Sequence, residues 1–337
     1  MKAWQIQGNG LENIKQIEVA IPEPGPRQLL VKVKAVSLNY RDKAIVDGEY
    51  MPELMTEPFI PVSDASGEVV GVGSEVKKFK VGDRVTSTML PTWIDGTPNP
   101  DDAVNALGGP KNGGLAEYMV LDENATVMTP PNLTDEEAST LPIAALTVWF
   151  SLVEYGKIKA GDTVLVQGTG GVSVFAIQIA SALGAKVIAT SSSNEKLAKV
   201  KQLGATEVIN YIETPNVAEE VLRITDGIGV NHVLEVVGGD SINNSIEALA
   251  LQGNIYVIGF LKGLVSKLNL FPLLAKQARI QGIYVGNHRA FEDMTKAFAQ
   301  LDIKPIIDTV YSFEDAIEAY KHLYKGAFGK IVIKVAE

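Results

Sequence analysis

The chain contains no cysteine, which excludes disulfides, thiolate metal sites and a cysteine nucleophile. Histidine is nearly as scarce: His232, His288 and His322 are the only three. They lie far apart, without H-x-x-x-H spacing, and read as surface or packing groups rather than metal ligands. No apolar run approaches the ~20 residues needed to cross a bilayer, and residues 1–10 lack the basic start and apolar stretch of a secretory leader. Positive charge is in deficit, with 30 Lys and Arg against 40 Asp and Glu. That disfavours a nucleic-acid backbone as partner, because such binding comes mainly from basic side chains releasing counterions. The expectation is a soluble cytoplasmic protein that binds neither membrane nor nucleic acid.

What is present points to two domains, since 337 residues are long for one hydrophobic core. The first third is punctuated by Gly and Pro and carries short β-branched runs at 29–39, 65–73, 82–88 and 115–122. Their alternation predicts an antiparallel, barrel-like β domain. Between the last two runs lies a long stretch, 89–114, rich in Gly, Pro, Asn and Asp, in which Trp93 hints at packing. After Pro130 the rhythm changes to apolar strands alternating with helical patterns, at 164–167, 186–190, 206–210, 230–237, 254–259 and 278–286. That order predicts an α/β fold with a doubly wound parallel sheet. The tail returns to strand, helix and strand and is expected to fold back on the first domain. The domains so drawn are 1–123 with 289–337, and 124–288.

The first strand of the parallel set runs into Gly168-Thr169-Gly170-Gly171-Val172-Ser173 and then into a helical pattern. Such a turn lets backbone approach a pyrophosphate at a helix N-terminus, where free N–H groups and a partial positive charge meet the anion. Ser173 stands where the fingerprint has its third glycine, and is expected to alter packing only locally. Cofactor choice is written about 20 residues later, where an acid would hold the ribose of NAD. The sequence instead offers Ser191, Ser192 and Lys196, which would accept a 2′-phosphate, so NADP(H) is preferred over NAD(H). Ser192 and Glu195 also form a helix capping box. Tyr211 lies either beside the adenine or as a half-buried strand-end residue. Backbone at Val237 and Gly238, from Gly259 through Phe260 to Leu261, and from Val285 through Gly286 to Asn287 would cup the nicotinamide half at the carboxyl ends of the later strands.

Together, SLNYRDK (37–43), PFIPVSDASGEVVGVGSEVKKFKVGDRV (58–85), GGLAEYMV (113–120), LPIAALTVWFSL (141–152), GDTVLVQGTGGVSVFAIQIA (161–180), ATSSSNEKLAKVKQLGA (189–205) and FGKIVIKV (328–335) resemble the medium-chain dehydrogenase/reductase superfamily. The likeness is to its zinc-independent, quinone-oxidoreductase-like branch, and to members labelled NAD(P)-dependent alcohol dehydrogenases. The resemblance implies a GroES-like β domain built from both chain ends around a Rossmann domain, an active site in the cleft between them, and a homodimer. Zinc-using relatives carry a Gly-His-Glu where this chain has Val62-Ser63-Asp64, a Cys before the position of Asn39 or Asp42, and four cysteines in the lobe equivalent to 89–114. Both metal sites are therefore expected to be absent.

The resemblance also implies roles for individual residues. Tyr40 would donate to the substrate oxygen and Asn39 would orient the substrate or the nicotinamide ribose, with Arg41 and Asp42 as a structural ion pair. Tyr50 would bring an aromatic ring over the substrate or pack in its loop, and Asp64 would hydrogen-bond buried backbone. Thr147 would approach the nicotinamide, and Lys330 would reach a phosphate or remain solvated. Without a Lewis acid, hydrogen-bond donors must carry the charge that hydride transfer builds on oxygen. A conjugated acceptor spreads that charge, which favours a quinone or an α,β-unsaturated carbonyl as the small-molecule substrate. The alternatives are a metal-free alcohol or aldehyde oxidoreductase and an NADPH-binding sensor with little turnover.

Overall fold

The computed structural model describes residues 1–336, which divide into two compact units: Met1–Leu146 with Gly286 onward, and Thr147–Val285. The first boundary falls later than the composition change near Pro130 suggests. The reason is local: the short strand Thr126–Met128 pairs with Arg84–Ser87, and the amide of Ile143 donates to buried Asp64, so this stretch is bound to the first unit.

In chain order the first unit contributes β1 (Lys2–Ile6), β2 (Ile14–Glu18), β3 (Gln28–Leu38), β4 (Asp64–Val72), β5 (Arg84–Ser87), β6 (Tyr118–Asp122) and β7 (Thr126–Met128). The second supplies β8 (Thr163–Gln167), β9 (Lys186–Ser191), β10 (Glu207–Asn210), β11 (Val230–Glu235), β12 (Leu249–Val257) and β13 (Arg279–Gly282), and the tail returns β14 (Ile307–Ser312) and β15 (Lys330–Lys334) to the first.

In the first unit a seven-stranded sheet runs β14-β15-β3-β4-β5-β7, with β6 also on β3, and β1 and β2 form a separate hairpin. Strand β3 is its axis. Its side chains alternate in burial from Gln28 to Lys34 and are then buried on both faces from Ala35 to Leu38, where β15 and β4 flank the strand. Leu29, Val31, Val33, Val69, Val85 and Ile331 fill the interior, each buried apolar side chain contributing about 1.5–3 kcal/mol. Gly67 is required because a Cβ there would lie 2.2 Å from the Lys32 carbonyl oxygen on the neighbouring strand. The 89–114 stretch is well packed: Trp93 is 4% exposed, and its carbonyl accepts from the His288 amide. The hairpin β1–β2 and strand β7 are elements that the sequence patterns did not suggest.

The second unit is a parallel sheet in the order β10-β9-β8-β11-β12-β13. All six strands fall where the apolar runs place them, although β12 begins at Leu249, five residues before its expected start. The strand order reverses direction at β8, so the crevice beyond β8 and β11 is the topological switch point where such sheets bind ligands. The helix Gly171–Ala182 is apolar on nearly all sides and packs with β8 and β9.

Away from that crevice, buried His232 bridges Asp162 and Tyr256, Nε2 lying 3.2 Å from Asp162 Oδ2 and Nδ1 3.0 Å from the Tyr256 hydroxyl. Burial holds the imidazole below its usual pKa, opposed by Asp162. The unfolded chain therefore takes up this proton first, at about 6.5, and stability is lost as pH falls below that value. His232→Asn should flatten this part of the profile: thermal melts from pH 7 to 5 should show wild type losing more Tm than the variant. Parallel profiles would remove His232 from the acid response.

Candidate functional site

Each unit carries its own group of candidate site residues. In the second unit, the residues expected to hold a dinucleotide follow the carboxyl ends of parallel strands. Gly168 takes a left-handed φ of +75°, and a Cβ added at Gly170 would meet no atom within 4 Å, so the turn opens onto free space. The helix that follows has Gly170 as N-cap with no side-chain cap bond, which leaves its first amides available to an anion. Ser173 turns behind this turn: it is 3% exposed and donates to the Gln167 carbonyl at 2.7 Å. Thr169 is buried, and Gly171 and Val172 are half-buried on the opening turn of the helix.

At the end of β9, Ser191 is buried, Ser192 is exposed and Lys196 is half-buried. The capping residue is Ser193, not Ser192: its Oγ accepts from the Lys196 amide at 3.3 Å, while Ser191 Oγ accepts from the Ser193 amide at 3.2 Å. The cap shifts because β9 runs on to Ser191, so the helix opens only at Asn194. Glu195 instead pairs with Lys199 at 2.8 Å. Tyr211 is 42% exposed and its amide donates to the Ser191 carbonyl. A cluster that the sequence did not reveal lies beside it: Asn210 donates to Asn194 at 2.8 Å, and both side-chain amides donate to Glu213.

Beyond β11 and β12 two loops meet backbone to backbone, with Lys262 N on Val237 O at 2.7 Å and Gly239 N on Gly263 O at 3.0 Å. Gly259 has no room for a side chain, since its Cβ would lie 2.4 Å from the Val236 carbonyl, and Phe260 follows half-buried. Thr147 is 1% exposed, and its hydroxyl has no hydrogen-bond partner among the described residues. An orphaned buried hydroxyl of this kind suits a bound group that supplies the missing partner. Val285 is buried at the end of the second unit. Gly286 and Asn287 belong to the first, where Asn287 caps the helix His288–Leu301 by accepting from Ala290 N at 2.8 Å.

In the first unit the candidate residues centre on the helix Tyr40–Val46. Asn39 is its N-cap, and a reciprocal pair with Asp42 brings Asn39 N to Asp42 Oδ2 at 2.7 Å. The Asn39 side chain is occupied within the protein: Nδ2 donates to Asp64 Oδ2 at 3.0 Å and Oδ1 accepts from Lys330 Nζ at 2.6 Å. Lys330 is 3% exposed and also donates to the Leu38 carbonyl at 2.7 Å. The expectation of a solvated or phosphate-reaching lysine is thereby corrected: β15 pairs with β3 through Ile331 and Leu38 and carries the ammonium into the interior. Arg41 likewise makes no ion pair with Asp42. Its guanidinium grips the carbonyls of Leu107, Gly108 and Gly109 and stacks 5.1 Å from the Tyr50 ring centroid. Tyr40 and Tyr50 are half-buried, and Lys43 Nζ sits 5.4 Å from the Tyr40 ring centroid.

Burial pushes the carboxyl pKa of Asp64 up against the opposing pull of Lys330, Asn39 and Ser63. It does the same to Asp42 against Arg41, and drives the Lys330 ammonium down against the two carboxylates. The cluster combines two acids and two bases in a water-excluded setting, where fixed charge acts strongly.

A glycine turn at the switch point of a parallel sheet is the kind of place where such sheets bind ligands, and known proteins share the pattern of both units. The model described as an alcohol dehydrogenase GroES-like domain matches residues 25–131, and that described as a zinc-binding dehydrogenase matches residues 171–301. A zinc-type alcohol dehydrogenase-like protein of Schizosaccharomyces pombe is 42% identical over 97% of this chain and 96% of its own length. A chloroplast quinone oxidoreductase of Triphysaria versicolor is 32% identical over 99% and 98%. The crystal structure of a putative alcohol dehydrogenase from Sinorhizobium meliloti superposes with a TM-score of 0.91 at 44% identity, covering 99% of this chain and all of that one. The chain belongs to the medium-chain dehydrogenase/reductase superfamily and is a dehydrogenase/reductase enzyme.

Zinc does not fit the groups present. Cysteine is absent, Asp64 is consumed by three donors, and the Lys330 ammonium already occupies the neighbouring polar space, where it would repel a divalent cation. Lys330→Met should leave Asp64 and Asp42 buried without their cation and cost about 3–5 kcal/mol in urea denaturation. A loss below about 1 kcal/mol would show that the ammonium does not balance these acids.

Proposed function

We propose that the protein is a zinc-independent, NADPH-dependent oxidoreductase that reduces a quinone or an α,β-unsaturated carbonyl. The observation that carries this reading is the buried Lys330 ammonium bound to Asn39, a fixed cation in place of metal-ligand chemistry. When bound, NADPH supplies the hydride. The glycine turn at 168–171 binds the pyrophosphate, Ser191, Ser192 and Lys196 take the 2′-phosphate, and Tyr211 borders the adenosine. Thr147 and the backbone at Val237, Gly259, Phe260 and Val285–Asn287 hold the nicotinamide half. Lys330 and Asp64 fix Asn39, and Asn39 fixes the first turn that carries Tyr40, whose hydroxyl donates to the substrate oxygen. Tyr50, backed by Arg41, presents its ring to the substrate. With hydrogen bonds alone to stabilise the oxyanion, an acceptor that delocalises the charge is reduced fastest.

Stopped-flow oxidation of NADPH with a quinone, an enone, a saturated aldehyde or no acceptor tests the reading. Reduction confined to the saturated aldehyde would establish the alcohol dehydrogenase alternative, and tight binding with every acceptor inert would establish the sensor. Tyr40→Phe should lower kcat at least tenfold with NADPH affinity intact, a loss of about 1.4 kcal/mol of transition-state stabilisation; unchanged turnover would remove Tyr40 from the mechanism.

One observation favours NAD(H) instead: Glu213 places a carboxylate among Asn194 and Asn210 at the ends of β9 and β10. Lys196→Ala separates the two cofactor readings. It should raise the Kd for NADPH about tenfold more than that for NADH, whereas equal effects would refute the 2′-phosphate role.

The second unit also exposes several large apolar side chains in the segment that leads into the edge strand β13, with Leu264 76%, Val265 85%, Phe271 77% and Leu274 71% accessible. Its partner is a second copy of the chain, since such surface is rare on monomers. Sedimentation velocity should give a dimer, and a single species near 36.1 kDa would contradict it.

A further inference from the structure

Glu235 ends β11 at the switch point and is wholly buried, 0% exposed. A carboxylate so placed is stable only when its oxygens are satisfied, and its donors come from the end of β8, from the loop after β11 and from the helix Ser241–Ala248. Oε1 accepts from the amides of Val237 at 3.1 Å and Gly238 at 3.0 Å. Oε2 accepts from Gln167 Nε2 at 2.9 Å and from the Ser245 hydroxyl. Gln167 ends β8, and its own Oε1 accepts from Val236 N at 3.2 Å. Its carbonyl receives the Ser173 hydroxyl from behind the glycine turn. The Glu235 carbonyl accepts from Ile258 and Gly259 at the end of β12. One buried knot thus ties together the ends of three neighbouring strands.

We propose that Glu235 and Gln167 are positioning residues that tie the loop at 236–239 to the phosphate turn at 168–173, which Ser173 braces independently, so that the pyrophosphate and the nicotinamide half of a dinucleotide are held in register. The inference rests on the assignment of those two segments to the pyrophosphate and nicotinamide halves. Neither side chain touches the cofactor. Their effect is to hold backbone amides and loop walls where the bound nicotinamide half needs them, at no ordering cost on binding. The knot serves the part common to NADPH and NADH, so it sets affinity for both and preference for neither.

Glu235→Gln turns an amide NH2 toward the donors of Gln167 and Ser245. The exchange Q167E/E235Q restores the match of donor and acceptor at unchanged net charge. Dissociation constants of the full-length protein are measured by fluorescence titration for NADPH, NADH and the adenosine-half fragments 2′,5′-ADP and ADP. Glu235→Gln should weaken both dinucleotides about tenfold, equivalent to about 1.4 kcal/mol, while the preferred fragment changes by less than about twofold, and the exchange variant should recover most of the loss. Ser245→Ala, which removes a single donor, should give the same pattern in milder form if Glu235→Gln fails to fold. Equal weakening of fragment and dinucleotide would indicate general loosening and overturn the proposal, as would an exchange variant no better than Glu235→Gln. Val237→Trp, which adds bulk on the loop itself, separates the two layers of the argument. Loss of dinucleotide affinity there with none in Glu235→Gln overturns the positioning role alone. No loss in either variant overturns the loop assignment together with it.

Discussion

A lysine ammonium buried beside two carboxylates constrains the first unit more than any other interaction. Lys330 donates to the last carbonyl of β3 and to the N-cap side chain of the helix that follows. The end of the central strand, the start of the helix bearing Tyr40, and the tail strand β15 therefore share one charged centre. Desolvating such a centre costs several kcal/mol per ion unless each charge is paired and hydrogen-bonded. Lys330 is held by the Leu38 carbonyl and Asn39 Oδ1, and Asn39 in turn donates to Asp64, while Asp42 Oδ1 is left without a hydrogen-bond partner. The same arrangement suits a divalent metal poorly, because the ammonium would repel it.

The second unit solves a related problem with neutral and anionic groups. Its glycine turn is bare backbone, and backbone without side chains has little to hold it in place. Ser173, Gln167 and Glu235 provide that support from behind, so the front of the turn is left open. The serine in the third fingerprint position thereby has a definite role, its hydroxyl donating to the Gln167 carbonyl and bracing the turn against the end of β8.

The architecture was largely legible in the sequence because it rests on short-range patterns. Six apolar runs separated by helical segments specify a parallel sheet, and Gly168 to Gly171 mark the turn at its switch point without reference to distant residues. For the candidate site residues the sequence suggested the element each lies on and much less the partner each finds. Lys330 looked solvated because lysine is rarely buried, and its partner Asn39 lies 291 positions away, beyond any local pattern. Arg41 and Asp42, adjacent in sequence, looked like an ion pair. Consecutive helical residues point in different directions, and each finds its partners elsewhere. Glu235 was the one charge in an otherwise apolar strand end, a signal that the sequence held and that only the pairing with Gln167 made readable.

The central claim is that this enzyme reduces its acceptor without a metal, using charge and hydrogen bonds built from its own side chains. The most direct measurement is single-turnover NADPH oxidation with a quinone, followed by nicotinamide absorbance, on protein stripped with a strong chelator and then on the same protein with zinc restored. Equal rates before and after zinc are expected. A stripped protein that is inactive and recovers on adding stoichiometric zinc would contradict the account.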